Sequence, residues 1–192
     1  MEIKADYFLD AKGLSCPMPI VKTKKEMENV EVGKVLEVQA TDPGSQADIA
    51  AWAESTGEQY LGTVEEGGVL KHYLRKSDSK KHEKPLTYNE QATLEEVADK
   101  MNDEDVVILD VREQAEYAFN HIPGAVSIPF GELENRYDEL DKDARIYVIC
   151  RTGNRSDFAA KALHKKGFKN VKNVVPGMTQ WNGPTTSMNG GN

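Results

Sequence analysis

Residues 76–85 (KSDSKKHEKP) run for ten positions without an aliphatic side chain and end in proline. Such a stretch has nothing to bury and reads as a linker, so a single core spanning the chain is excluded. The sequence therefore divides into a domain over residues 1–75, a linker over 76–85, a second domain over 86–185 and a flexible tail over 186–192. Ten flexible residues span about 17 Å on average and about 33 Å when extended.

The periodicity of the first domain predicts strands over residues 7–10 and 34–40 and helices over 17–30 and 44–55. Segments 59–64 and 69–74 flank Glu65-Glu66-Gly67-Gly68 and read as a hairpin. The order β-α-β-α-β-β implies a two-layer sandwich of helices on a small sheet. The second domain alternates strand and helix instead. Strands are predicted at 106–110, 126–128, 146–149 and 171–175. Helices are predicted at 93–101, opened by a Thr93–Glu96 capping box, at 114–120, and at 156–166, stopped by Gly167. The continuous apolar runs at 106–109 and 146–149 suit strands buried on both faces, which predicts an α/β domain with a mainly parallel sheet.

Composition narrows the function classes. The net charge of −8 is shared between residues 1–78 (9 basic, 14 acidic) and 79–192 (15 basic, 18 acidic). No basic stripe suggests nucleic-acid binding, and no apolar run approaches a membrane span. Met1–Lys4 lacks a signal-peptide pattern, so a cytoplasmic location is expected. His72, His82, His121 and His164 are dispersed, and no Walker or dinucleotide glycine loop is present. No metal and no cofactor are expected. Two cysteines far apart do not make a disulfide framework. Trp52 and Trp181 read as core residues.

Cys150 stands at the C-terminal end of a buried strand, and Arg151-Thr152-Gly153-Asn154-Arg155-Ser156 lead into a helix. A strand–loop–helix with a glycine in the loop lets successive amides converge on an anion. The helix dipole and the two arginines add positive charge, so the thiol is expected to be acidic and nucleophilic. Ser156 is expected to cap the helix and complete the cradle.

Residues 85–185 resemble the rhodanese family. The resemblance rests on Ile108-Leu-Asp-Val-Arg112, Glu116-Tyr117, His121-Ile-Pro-Gly-Ala125, the loop Cys150–Ser156, and Pro176-Gly-Met-Thr-Gln-Trp181. It implies that Cys150 takes sulfur from a donor and holds it as a persulfide among the loop amides. Asp110, Arg112 and His121 are then scaffold. Four residues separate Cys150 from Arg155, a loop sized for sulfur. Related phosphatases and arsenate reductases have five, which would require arginine where Ser156 stands.

Cys16 precedes an apolar helix in Leu14-Ser-Cys-Pro-Met-Pro19. Pro17 and Pro19 suit a first helical turn, where a missing N–H breaks no bond. That places Cys16 beside the N-cap, where the dipole would lower its pKa. Residues 6–75 resemble the TusA (SirA-like) sulfur-relay family, marked by this Cys-Pro-x-Pro motif and its approach through Leu9-Asp10 and Gly13-Leu14. The resemblance implies a carrier thiol at Cys16 that exchanges persulfide sulfur with partner proteins.

Together these readings predict a sulfurtransferase that loads Cys150 from thiosulfate or low-molecular-weight persulfides. It would pass sulfur to thiol acceptors, with Cys16 as an internal or partner-facing carrier and sulfur-relay proteins as partners. A delivery module with little turnover, a regulatory Cys16–Cys150 disulfide and a thiol-based phosphatase or arsenate reductase are the alternatives.

Overall fold

The computed structural model describes residues 2–78 and 85–188, in two compact units, residues 1–81 and 82–192. Most of the expected linker and the end of the tail lie outside the described residues.

The first unit comprises β1 (Tyr7–Ala11), α1 (Met18–Met27), β2 (Val35–Ala40), α2 (Ser45–Thr56), β3 (Gln59–Glu66) and β4 (Val69–Arg75). The sheet order is β1-β2-β4-β3, with β1 and β2 parallel and the remaining pairs antiparallel. Each helix buries one stripe at a spacing of four: Pro19, Thr23 and Met27 on α1, and Ser45, Ile49 and Ala53 on α2. Met27, Ile49 and Ala53 pack on Leu36, Val38 and Leu74 of the sheet. Trp52 lies half-buried against that core. Helix α1 stops at Met27, three residues short of the expected end, where Asn29 N–H turns to the Glu26 carbonyl in a tighter i→i−3 bond.

One polar chain crosses this unit. Tyr60 Oη meets Thr63 Oγ1, which lies 2.7 Å from His72 Nδ1, and His72 Nε2 lies 2.9 Å from Ser45 Oγ. Ser45 donates its hydroxyl to the Asp42 carbonyl at 2.7 Å. It therefore faces His72 as an acceptor, which puts the ring proton on Nε2 and leaves Nδ1 to accept from Thr63. His72 has no exposed surface, and that burial pushes its pKa down to about 4.

The second unit comprises β5 (Gln91–Ala92), α3 (Leu94–Lys100), β6 (Val106–Asp110), α4 (Gln114–Phe119), β7 (Val126–Ser127), α5 (Leu133–Arg136), β8 (Arg145–Ile149), α6 (Asn154–Lys165) and β9 (Asn170–Val174). Its sheet runs β5-β9-β8-β6-β7 with every pair parallel. Alternate residues of the central strands feed opposite cores. Leu109, Ile146 and Val148 join Leu163 and Phe168 on one face, while Ile108, Tyr147 and Ile149 join Val97, Ile122 and Met178 on the other. Covering both faces is what demanded the unbroken apolar runs. Trp181 packs half-buried against the second of these cores.

The capping box expected at Thr93 is only half formed. Thr93 Oγ1 accepts Glu96 N–H at 3.1 Å, but the Glu96 carboxylate takes Tyr147 Oη at 2.9 Å and Lys172 Nζ at 2.6 Å. Partners from β8 and β9 outcompete the local one.

Candidate functional site

Strand β8 delivers Cys150 to the C-terminal edge of the parallel sheet, and four residues later α6 begins. The helix starts at Asn154 with Gly153 as its N-cap at φ 96°, a left-handed conformation that favours glycine. This corrects two expectations. The helix begins two residues earlier than residue 156, and Ser156 is not its cap but lies inside the first turn, wholly buried.

The turn wraps around the thiol. Gly153 N–H donates to Cys150 Sγ at 3.1 Å, and Ser156 Oγ lies 3.2 Å from the same sulfur. Helix geometry leaves the N–H groups of Asn154, Arg155 and Ser156 without an intrahelical acceptor, so the start of α6 offers further donors. Cys150 itself is 1% exposed, at the floor of this cup. Thr152 and Asn154, expected to bind substrate, line a cavity of about 450 Å³ with Pro85, Leu86, Pro176, Thr179 and Gln180.

The segment 176–181 supports the loop through its backbone. Met178 N–H bonds the Cys150 carbonyl at 2.8 Å, and Thr179 N–H bonds the Arg151 carbonyl at 3.1 Å. Gly177, at φ 101°, makes this approach feasible: a Cβ there would lie 2.6 Å from the Cys150 carbonyl oxygen.

The two arginines differ in a way the sequence concealed. Arg155 is held by Glu116 of α4, with Nη1–Oε2 2.7 Å and Nη2–Oε1 3.1 Å. Burial opposes the Arg155 charge, but the Glu116 pair outweighs it and raises the pKa. Arg155 is thus paired through Nη1 and Nη2 with a carboxylate of its own chain. Arg151 makes no ion pair among the described residues and is half-buried beside the loop. Glu116 had no place in the sequence-derived site. Its Oε2 also accepts Glu113 N–H at 2.9 Å, anchoring it at the start of α4.

Asp110 and Arg112 form a buried pair, Arg112 Nε–Oδ1 3.0 Å and Nη2–Oδ2 2.7 Å, and Arg112 also bonds the Asn120 carbonyl at 2.6 Å. This pair ties the end of β6 to the end of α4. His121 stacks on Tyr117 at 3.7 Å between ring centroids. Among the described residues none of the three hydrogen-bonds Cys150, whose sulfur is met by Gly153 and Ser156 instead.

In the first unit, Cys16 is exposed and immediately precedes Pro17, the N-cap of α1, with Pro19 in the first turn. The expected acidification is overturned. Cys16 Sγ donates to Asp48 Oδ2 at 3.1 Å, and its pKa is raised, first by that hydrogen bond and further by slight desolvation and the charges of Asp48 and Asp42. A carboxylate at contact distance outweighs the dipole of a helix that begins two residues later. Asp48, in the first turn of α2, is the second residue that sequence reasoning missed. Both cysteines are free thiols.

Among the described residues no group of three or more His, Cys, Asp or Glu side chains is arranged to hold a metal ion. No helix among them is long and apolar enough to cross a membrane.

Comparison with known proteins follows the same division. The sulfurtransferase TusA family matches residues 7–76, and the rhodanese-like domain family matches residues 93–184. YrkF of Bacillus subtilis, named as a sulfur carrier protein, is 53% identical over 184 residues, 95% of this chain and 99% of YrkF. The sulfur carrier protein TusA of Allochromatium vinosum is 46% identical over 72 residues, 38% of this chain and 95% of TusA. A thiosulfate sulfurtransferase from Pseudomonas aeruginosa superposes with a TM-score of 0.51 at 22% identity, over 59% of this chain and 22% of that one. That likeness concerns the fold alone.

Proposed function

The chain belongs to the sulfur-carrier and sulfurtransferase family that joins a TusA domain to a rhodanese-like domain, and from that premise we propose that it loads sulfane sulfur on Cys150 and hands it to thiol acceptors, Cys16 among them. The observation that carries this reading is the seat of Cys150: a thiol under the Gly153 amide, at the start of a helix, at the C-terminal edge of a parallel sheet. An outer persulfide sulfur, being anionic, would be met by the same donors.

With thiosulfate as donor, the Cys150 thiolate attacks the outer sulfur. A new S–S bond forms, the S–S bond of thiosulfate breaks, and sulfite leaves with the electron pair. An acceptor thiolate then attacks the outer sulfur of the Cys150 persulfide and releases the Cys150 thiolate. Neither step needs an outside oxidant or reductant. Arg151 is the cation that would draw an anionic donor to the loop, while Arg155 and Glu116 hold the loop's shape. Low-molecular-weight persulfides fit the same scheme, and sulfur-relay proteins would supply or take sulfur at the exposed Cys16. The domain boundaries follow the same reading, a carrier over residues 1–75 and a transferase over 86–185.

The test is intact-protein mass spectrometry after brief incubation with thiosulfate or a persulfide donor, on the wild type, Cys150→Ser and Cys16→Ser. A sulfur adduct that requires Cys150, and reaches Cys16 only when Cys150 is present, supports the relay. Adducts that form independently on each cysteine reduce the protein to two carriers on one chain, and no adduct at all removes the sulfurtransferase reading.

A further inference from the structure

Resting on the reading of Cys16 as a carrier thiol, we propose that Asp48 is a specificity-determining residue: its carboxylate turns small anions away from Cys16 and leaves the thiol to donors that bring a cation or hydrogen-bond donor to meet that carboxylate, as the surface of a partner protein can.

The geometry comes from two adjacent parallel strands. Strands β1 and β2 pair up to Ala11 and Ala40, so the loops leaving their C-terminal ends lie side by side. One loop carries Cys16; the other, with the start of α2, carries Asp42 and Asp48. Cys16 Sγ donates to Asp48 Oδ2 at 3.1 Å. The two carboxylates converge on Gly44, where a Cβ would lie 3.2 Å from Asp42 Oδ2 and 3.8 Å from Asp48 Oδ2. Asp42 is fixed there by Gly44 N–H at 3.1 Å. Asp48 sits in the first turn of a 12-residue helix, a position whose dipole complements negative charge. The charges that act on Cys16 are thus both carboxylates, and they hold its proton more firmly than usual. Cys150 has the opposite surroundings, amide donors and a neighbouring arginine.

This asymmetry has a chemical consequence. Sulfite can strip a carrier: it attacks the outer sulfur of a cysteine persulfide, forms the S–S bond of thiosulfate and releases the cysteine thiolate with the electron pair. Thiosulfate loading is the reverse. A carboxylate within reach of the sulfur slows both directions for free anions at Cys16. Two unit charges about 4 Å apart in a water-like dielectric repel enough to slow approach about fivefold, and a dianion is slowed more.

The experiment uses the full chain carrying Cys150→Ser, so that Cys16 is its one thiol, and compares alkylation by iodoacetate, an anion, with alkylation by neutral iodoacetamide. The iodoacetate-to-iodoacetamide rate ratio is expected to rise about fivefold in Asp48→Asn and to stay near the starting value in Asp48→Glu. Without any substitution at Asp48, raising the salt concentration should speed iodoacetate selectively, because screening weakens the repulsion. A ratio that is the same in Asp48→Asn and unresponsive to salt overturns the proposal. A structural role for Asp48 would change both rates together and leave the ratio alone. The ratio does not depend on sulfur transfer, so it separates the two readings. Sulfur uptake on Cys16 with an unmoved ratio sinks the role of Asp48, whereas a moved ratio with no persulfide on Cys16 from any donor sinks the carrier reading on which it rests.

Discussion

Acid should weaken the first unit through one buried imidazole. His72 has no exposed surface, sits between Ser45 and Thr63, and in the neutral form satisfies both. Protonation would place a second N–H where Nδ1 now accepts from Thr63, and would put a charge on a side chain with no exposed surface. Burial accordingly lowers its pKa from 6.5 to about 4. Because the folded-state value is below the unfolded one, the unfolded chain takes up the proton first, and stability present above pH 6.5 is lost as pH falls toward 4. With those two values the linkage relation gives a loss of about 2 kcal/mol between pH 7 and pH 5. The assay is urea unfolding followed by Trp52 fluorescence in a Trp181→Phe background, which restricts the signal to the first unit. His72→Gln serves as reference, since glutamine offers a donor and an acceptor but does not titrate here. The wild type should lose about 2 kcal/mol more than His72→Gln over this interval, carboxylate titrations being common to both. Equal losses in the two proteins would refute the reasoning.

Two further outcomes follow from the Cys150 site. Gly177→Ala should destabilise the second unit by about 3 kcal/mol, from a backbone conformation that alanine resists and a Cβ driven to 2.6 Å from a carbonyl; unfolding followed by Trp181 in a Trp52→Phe background measures it, and a change below about 0.5 kcal/mol would contradict it. The arginines should separate kinetically from structurally: Arg151→Ala raises KM for thiosulfate about tenfold with an unchanged Tm, whereas Glu116→Gln strands a largely buried guanidinium and lowers stability by about 3 kcal/mol. A larger KM effect from Glu116→Gln than from Arg151→Ala, with Tm intact, would reverse those assignments.

Local chemistry alone marked out the two sheets, the proline-preset start of α1 and the cysteine–glycine–arginine loop. Alternation versus continuity of apolar residues distinguishes a small helix-covered sheet from a parallel sheet buried on both faces, and that information is written within a few residues of each position. Each cysteine was legible for the same reason, since prolines or glycine and arginine stand beside it in the chain. The residues that set the electrostatics of each thiol were not. Asp48 lies 32 positions from Cys16, and Glu116 lies 39 positions from Arg155. Each meeting follows from a parallel strand pair, β1 with β2 and β6 with β8, whose following helices begin side by side. Spacing along the chain carries no trace of such a meeting, because strand order and register are settled by packing of the whole sheet. Hence the sequence could place a thiol at a helix start but not the sign of the charge beside it. Only the tertiary structure decided that Arg155 is already paired and that Cys16 faces a carboxylate.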